Sequence, residues 1–163
     1  MSDIETERQI RYWLLDMDGV LIHEEDPIPG APEFINRLKE LEIPFLVLTN
    51  SSIYSRRDLS ARLHRSGLEV PEKSIWTSAL ATATFLRDQR PNGSAFVVGE
   101  PGLATAMHEA GYTINESDPD YVVLGETRTY SFERITQAIR LILKGARFIA
   151  TNPDNVGPAP GGV

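Results

Sequence analysis

Tyr12-Trp13-Leu14-Leu15-Asp16-Met17-Asp18-Gly19-Val20-Leu21 is the stretch on which the reading of this chain turns. Four apolar or aromatic residues run into Asp16, the pattern of a short buried strand whose carboxyl end meets a carboxylate. In open α/β sheets, ligands bind just beyond the carboxyl ends of the strands. Two carboxylates two residues apart at such a place can do different work. One can attack an electrophile and hold a divalent cation, while the other stands against the leaving group as general acid. Gly19 lets the backbone turn away sharply and frees local amides to face an anion. The alternative is an ordinary strand-to-loop turn, where Asp and Gly are common. A calcium loop does not fit: it needs a third oxygen ligand before the glycine and a Glu at its twelfth position, and here Val20 and Leu21 are apolar.

A second strand end of the same kind follows. Phe45-Leu46-Val47-Leu48 runs into Thr49-Asn50-Ser51-Ser52, with Thr49 lying 33 residues after Asp16. That spacing holds a strand, a crossover helix and a second strand, one right-handed βαβ unit, and predicts that the two strand ends are neighbours. A Thr hydroxyl and the amide after it can hold phosphate oxygens there. A polar run of this composition also serves as a turn or helix cap. An acidic and a hydroxylic signal at equivalent strand ends are harder to explain as chance than either alone.

Working outward, Pro27, Pro29, Gly30 and Pro32 punctuate a loop. Phe34, Ile35, Leu38 and Leu41 recur at helical spacing. Ser55-Arg56-Arg57-Asp58 is a capping box before a helix with Leu59 and Leu63 on one face, stopped by Gly67. Ile75-Trp76 reads as a third short strand, and Ser78 as the cap of a helix running to about Arg87. Arg90-Pro91-Asn92-Gly93 is the expected hinge, dividing the chain into residues 1–90 and 91–163. After it the alternation restarts: a strand at 95–98, a helix with Leu103, Ala106, Met107 and Ala110 inward and Gly111 as stop, and a strand at Tyr121–Leu124. A helix capped by Ser131, with Phe132, Ile135, Ile139 and Ile142 on one face, precedes a last strand at 148–150. Repeated β-then-α units imply an α/β fold with mostly parallel strands. Trp13 and Trp76 are expected in the core, and Asp154 as a turn former ahead of a Gly/Pro-rich tail.

Composition narrows the function. The 163 residues carry a net charge of −7 and no cysteine. An acidic chain without a basic cluster repels a phosphate backbone, which excludes non-specific nucleic-acid binding. The lack of cysteine removes disulfides, thiolate metal sites and a cysteine nucleophile, and fits a cytoplasmic protein. The first residues are acidic and lack the apolar stretch of a signal peptide, and no apolar run approaches a membrane span. His23, His64 and His108 show no ligand spacing.

Asp16-Met17-Asp18-Gly19-Val20 and Thr49-Asn50-Ser51-Ser52 together resemble the first two motifs of the haloacid dehalogenase (HAD) superfamily. The order of elements is similar to its class IIA phosphatases, the NagD-like or 4-nitrophenylphosphatase-like proteins. Gly99-Glu100, Gly111-Tyr112, Asp120-Tyr121-Val122-Val123, Gly125-Glu126-Thr127-Arg128 and the segment 145–154 extend the resemblance along nearly the whole chain from Tyr12.

The resemblance implies a HAD-like Rossmannoid core, of which 1–90 is the N-terminal part, and an inserted α/β cap domain of the C2 type in 91–163. Asp16 would be the nucleophile that forms an aspartyl-phosphate and binds Mg²⁺. Asp18 would be the general acid/base, with its backbone carbonyl on the metal, and Thr49 and Asn50 would bind the transferring phosphoryl group. The substrate would be a small phosphorylated metabolite, a nucleoside monophosphate or sugar phosphate, with specificity in loops around 126–129 and 151–155. The cap would offer a homodimer contact. Asp18 argues against the dehalogenase branch. The family's third and fourth motifs, a Lys and an acidic metal-binding pair, cannot be placed, and Lys144 reads as the end of a helix. The chain therefore reads as a truncated member or partial record. The alternatives are a non-catalytic phosphate- or partner-binding protein on the same fold, an inactive fragment, or, more weakly, a phosphomutase.

Overall fold

The computed structural model describes residues 10–153. The apolar run after Tyr12 forms β1 (Trp13–Asp16). It is followed by a small antiparallel hairpin, β2 (Ile22–His23) and β3 (Asp26–Pro27), with Glu24 in the left-handed region at its tip. Then come α1 (Ala31–Glu40), β4 (Phe45–Thr49), α2 (Arg56–Arg65) and β5 (Ile75–Thr77). The strands assemble as a parallel sheet in the order β1-β4-β5, with Asp16 opposite Leu48 and Thr49 opposite Thr77. The two strand ends predicted to be neighbours are neighbours. Alternation along the strands sends Leu15, Val47 and Ile75 to one face, where they meet Ile35 and Leu38 of α1 and Leu59 and Leu63 of α2. Ser55 and Asp58 form the expected capping box on α2.

The remaining elements are α3 (Ser78–Gln89), β6 (Ser94–Val98), α4 (Pro101–Glu109), β7 (Thr113–Ile114), β8 (Tyr121–Leu124), α5 (Phe132–Leu143) and β9 (Arg147–Ala150). They build a second parallel sheet, β7-β6-β8-β9. Helices α3 and α4 share one core with it, through Ala79, Ala83, Leu86, Leu103, Ala106 and Met107. Helix α5 covers the other face through Ala138 and Leu141. The apolar cores thus divide between β5 and α3. Tyr112 ties the turn at 90–93 into the second core: its hydroxyl donates to the carbonyls of Leu86 (2.7 Å) and Arg90 (2.8 Å).

Three local expectations differ from the structure. Thr77, not Ser78, caps α3: the Thr77 hydroxyl accepts from the Leu80 amide at 3.1 Å. On α5 only part of the expected stripe turns inward. Ile135 and Ile142 pack partly, whereas Phe132 and Ile139 face solvent and Ala138 and Leu141 take the core positions. Trp13 packs edge-on against Phe34, but Trp76 lies on the side of the first sheet that no helix among the described residues covers and is partly exposed. The expectations for Asp154 and the Gly/Pro-rich tail lie outside the described residues.

Candidate active site

The site begins where β1 stops. The Met17 amide donates both to the Leu48 carbonyl on the neighbouring strand (3.1 Å) and to Asp16 Oδ1 (2.8 Å). The first hydrogen bond continues the ladder, and the second fixes the carboxylate at the strand end. Gly19 then adopts a positive φ of 82°, which a side chain would resist, and its amide donates to the Ile22 carbonyl at 2.8 Å. That turn leaves Asp16 and Asp18 both open to solvent while Met17 and Leu21 are buried beneath them.

Thr49 reaches the same place from β4. It is buried, and its hydroxyl donates to Asp18 Oδ2 at 3.5 Å and accepts from the Ser51 amide at 3.1 Å. The two motifs, 31 residues apart at this contact, therefore meet through a hydrogen bond. Asn50 lies exposed beside them, its carbonyl accepting from the Ser78 hydroxyl at 2.7 Å.

The charge balance around Asp18 is specific. Desolvation by the surrounding protein pushes its carboxyl above the usual carboxylate range, and the negative charge of Asp16 adds to this; the Arg62 guanidinium and the Thr49 hydrogen bond pull the other way. A carboxyl that keeps its proton more readily suits a general acid. Arg62 is a residue that sequence reasoning missed. It comes from α2, donates to the Glu24 carbonyl at 2.5 Å and lies 3.6 Å from the Glu25 carboxylate. Ser66, one turn further, donates to the Glu25 carbonyl at 2.8 Å. Helix α2 thereby latches the β2–β3 hairpin beside the site. No local pattern signals Arg62, because its partners lie about forty residues away in sequence.

Carboxylate, hydroxyl and carboxamide oxygens stand at the two strand ends, which is the chemistry of a hard divalent cation. Mg²⁺ in particular is held by one or two carboxylates together with water and substrate phosphate. The Asp16 carboxylate fits that group, and the main-chain carbonyl of Asp18 would complete its share while leaving the Asp18 carboxyl free to hold a proton. Among the described residues, no set of three acidic or histidine side chains gathers into a self-sufficient metal cage.

The second sheet presents its own carboxyl ends to the same region. The loop after β8 meets the loop after β4 where the Glu126 amide donates to Ser52 Oγ at 2.8 Å. At the start of α4, the Gly102 amide donates to the Ile53 carbonyl at 3.0 Å. After β9, the Asn152 side chain lies 3.5 Å from the Asn50 carbonyl. Thr127 donates to Glu100 at 2.5 Å, joining the ends of β8 and β6. Loops at the carboxyl ends of two parallel sheets thus meet beside Asp16, Asp18, Thr49 and Asn50.

Comparison with known proteins agrees with this arrangement. Residues 13–113 match the haloacid dehalogenase-like hydrolases. The chain is 60% identical over 151 residues to dihydroxyacetone phosphatase of Corynebacterium glutamicum (strain R), covering 93% of this chain and 55% of that protein. It is 42% identical over 148 residues to ribonucleotide monophosphatase NagD of Escherichia coli (strain K12), covering 91% and 59%. Among solved structures, NagD from E. coli K-12 superimposes with a TM-score of 0.85 at 41% identity, over 93% of this chain and 60% of that one. The p-nitrophenyl phosphatase from Archaeoglobus fulgidus gives 0.85 at 40%, over 93% and 59%. The chain spans 55 to 60% of the length of these relatives. Sequence motifs, strand-end geometry and both kinds of relative converge: the chain belongs to the family of haloacid dehalogenase-like hydrolases.

Proposed function

We propose that this chain carries the nucleophile and general acid of a Mg²⁺-dependent phosphatase acting on small phosphomonoesters. The observation that carries the reading is the meeting of Asp18 with Thr49 beyond the carboxyl ends of adjacent parallel strands, beside Asp16. In it, the Asp16 carboxylate attacks phosphorus in line, and the P–O ester bond breaks as Asp18 gives its proton to the leaving oxygen. Asp18, now a carboxylate, takes a proton from water, which attacks the aspartyl-phosphate and frees inorganic phosphate. Thr49 and Asn50 orient the phosphoryl oxygens. Asp16 and Asp18 would hold Mg²⁺, whose positive charge offsets repulsion between the carboxylates and an anionic phosphate.

The relatives' names direct the choice of substrate. Dihydroxyacetone phosphate comes first, given the 60% identical relative; a ribonucleoside monophosphate and a sugar phosphate come next, after NagD and the acid sugar phosphatases of Staphylococcus. We place the chain's division between β5 and α3, ahead of the 90/91 position expected from sequence, because α3 shares its core with the second sheet. The second unit would serve as the cap. Phe132, Ile139 and Leu143 of α5 and Phe148 on the edge strand β9 are exposed and would supply a homodimer contact. The absence of cysteine from the 163 residues is in keeping with a cytoplasmic location.

The test is hydrolysis of these substrates and of 4-nitrophenyl phosphate by the full-length protein, with Mg²⁺ and with EDTA. Metal-dependent release of phosphate is expected. Tight phosphate binding without turnover would replace this reading with the non-catalytic one.

A further inference from the structure

Among the contacts between the two units, one is made by a buried side chain. Ser52 is fully buried, and its hydroxyl oxygen accepts from the Glu126 amide across 74 residues at 2.8 Å. A buried hydroxyl without a partner is costly, so this hydrogen bond resists opening. Glycine stands on the facing side at two close approaches, against side chains at Gly125 and against backbone at Gly102. A methyl at Gly125 would lie 3.0 Å from Ser52 Oγ and 2.7 Å from Leu103 Cδ2. A methyl at Gly102 would lie 2.5 Å from the Tyr54 carbonyl carbon. Ser52 itself stands three residues after Thr49 and two after Asn50, on the loop that holds the candidate phosphoryl-binding groups.

We infer that Ser52 is a positioning residue, whose hydroxyl seats the loop at 125–130 of the second unit on the loop bearing Thr49 and Asn50. The inference rests on the proposed phosphatase reading for its kinetic consequence but not for its structural content. The loop at 125–130 follows the carboxyl end of β8 and rests, through the Glu126 amide, on the loop that bears Thr49 and Asn50, so in the phosphatase reading it stands on the side where the organic part of a phosphomonoester would lie. Thr49 is held independently by Asp18 and the Ser51 amide. Loss of the Ser52 hydroxyl should therefore loosen the grip on the leaving group and spare the phosphoryl group.

Amide hydrogen exchange and steady-state kinetics on full-length Ser52→Ala test this, with the Val97 and Val123 amides as internal references. Exchange at Glu126 should rise about three- to tenfold while the references stay put, the change expected from losing one hydrogen bond. KM for the organic phosphomonoester should rise by a similar factor with kcat within about twofold, and inhibition by inorganic phosphate should be unchanged, the pattern of lost binding rather than lost chemistry. Gly125→Ala leaves Ser52 intact and pushes the loop off it, so it should reproduce the pattern if Ser52→Ala folds poorly. Unchanged Glu126 exchange, or an equal rise at Glu126, Val97 and Val123, would overturn the inference, as would a fall in kcat with KM unchanged. Absence of turnover in the unsubstituted protein would instead refute the phosphatase reading and leave the exchange result to decide Ser52.

Discussion

Asp18 has its pKa raised first by desolvation, so the native state binds its proton more tightly than the unfolded chain does. Stability then falls as pH rises from the unfolded value of 3.8 through the folded one, and stays lowered above it. Asp18→Asn removes that ionisation. Without metal, the Asn variant should melt higher than wild type at about pH 7, and the gain should vanish at about pH 3, where both states are protonated. Thermal unfolding in EDTA at the two pH values checks this; an equal gain at both would show that charge is not the cause. In the active protein the same substitution should slow turnover by about 10²–10⁴, with a smaller loss for 4-nitrophenyl phosphate, whose leaving group hardly needs a proton. Equal losses for good and poor leaving groups would exclude Asp18 as the acid. Asp16→Asn should remove turnover altogether while leaving the circular dichroism spectrum unchanged. The place of Asp16, Asp18, Thr49 and Asn50 beyond adjacent strand ends was legible in the sequence because Asp16 and Thr49 each directly follow an apolar run, with Asp18 and Asn50 next along the loop. Arg62 and the partner of Ser52 were not, because their meanings come from contacts 38 and 74 residues away.

Helices α2 and α4 show which elements a single sequence discloses. The Ser55–Asp58 capping box is complete within four residues, and it appears as expected, with the Asp58 amide 3.2 Å from Ser55 Oγ. Ser55→Ala should lower stability by about 1 kcal/mol, as read by urea unfolding. The start of α4 is different. Its Pro101 is a visible signal for a first helical turn, but nothing local says that Gly102 must press against the backbone of residues 53 and 54. Gly102→Ala should cost about 1–3 kcal/mol through that overlap, with a larger drop in melting temperature than Gly145→Ala brings by straining a positive φ in open space. A smaller drop would mean that the two units separate readily. The β2–β3 hairpin escaped the sequence reading because its strands are only two residues long, too short for any alternation to register. The stripe on α5 was misplaced for the opposite reason: apolar residues occupy so much of that helix that periodicity alone does not choose which of them meets the sheet.

Among the described residues, the first sheet is covered on one side only. Leu15, Val47 and Ile75 lie under α1 and α2, but Leu14, Leu46, Leu48 and Trp76 alternate to the other face, where Leu14 is 68% exposed. Parallel sheets ordinarily carry helices on both faces, and an apolar face left open invites association. The 163 residues also span only 55 to 60% of the relatives' length. Asp16 and Asp18 supply part of a metal shell, and no described lysine joins them by any hydrogen bond or ion pair. Loss of a single preorganised electrostatic donor costs about 10²–10³ in rate. The 163-residue chain alone should therefore hydrolyse 4-nitrophenyl phosphate at least about 10²-fold more slowly than the full-length Corynebacterium relative, with or without Mg²⁺. It should also bind a hydrophobic dye, and Leu14→Lys should weaken that binding, since Leu14 is the most exposed residue of the open face. Sedimentation, dye fluorescence and parallel rate measurements decide the matter. A monomeric chain that binds no dye and matches the relative's Mg²⁺-dependent rate would show that the groups gathered between the two sheets suffice for the chemistry.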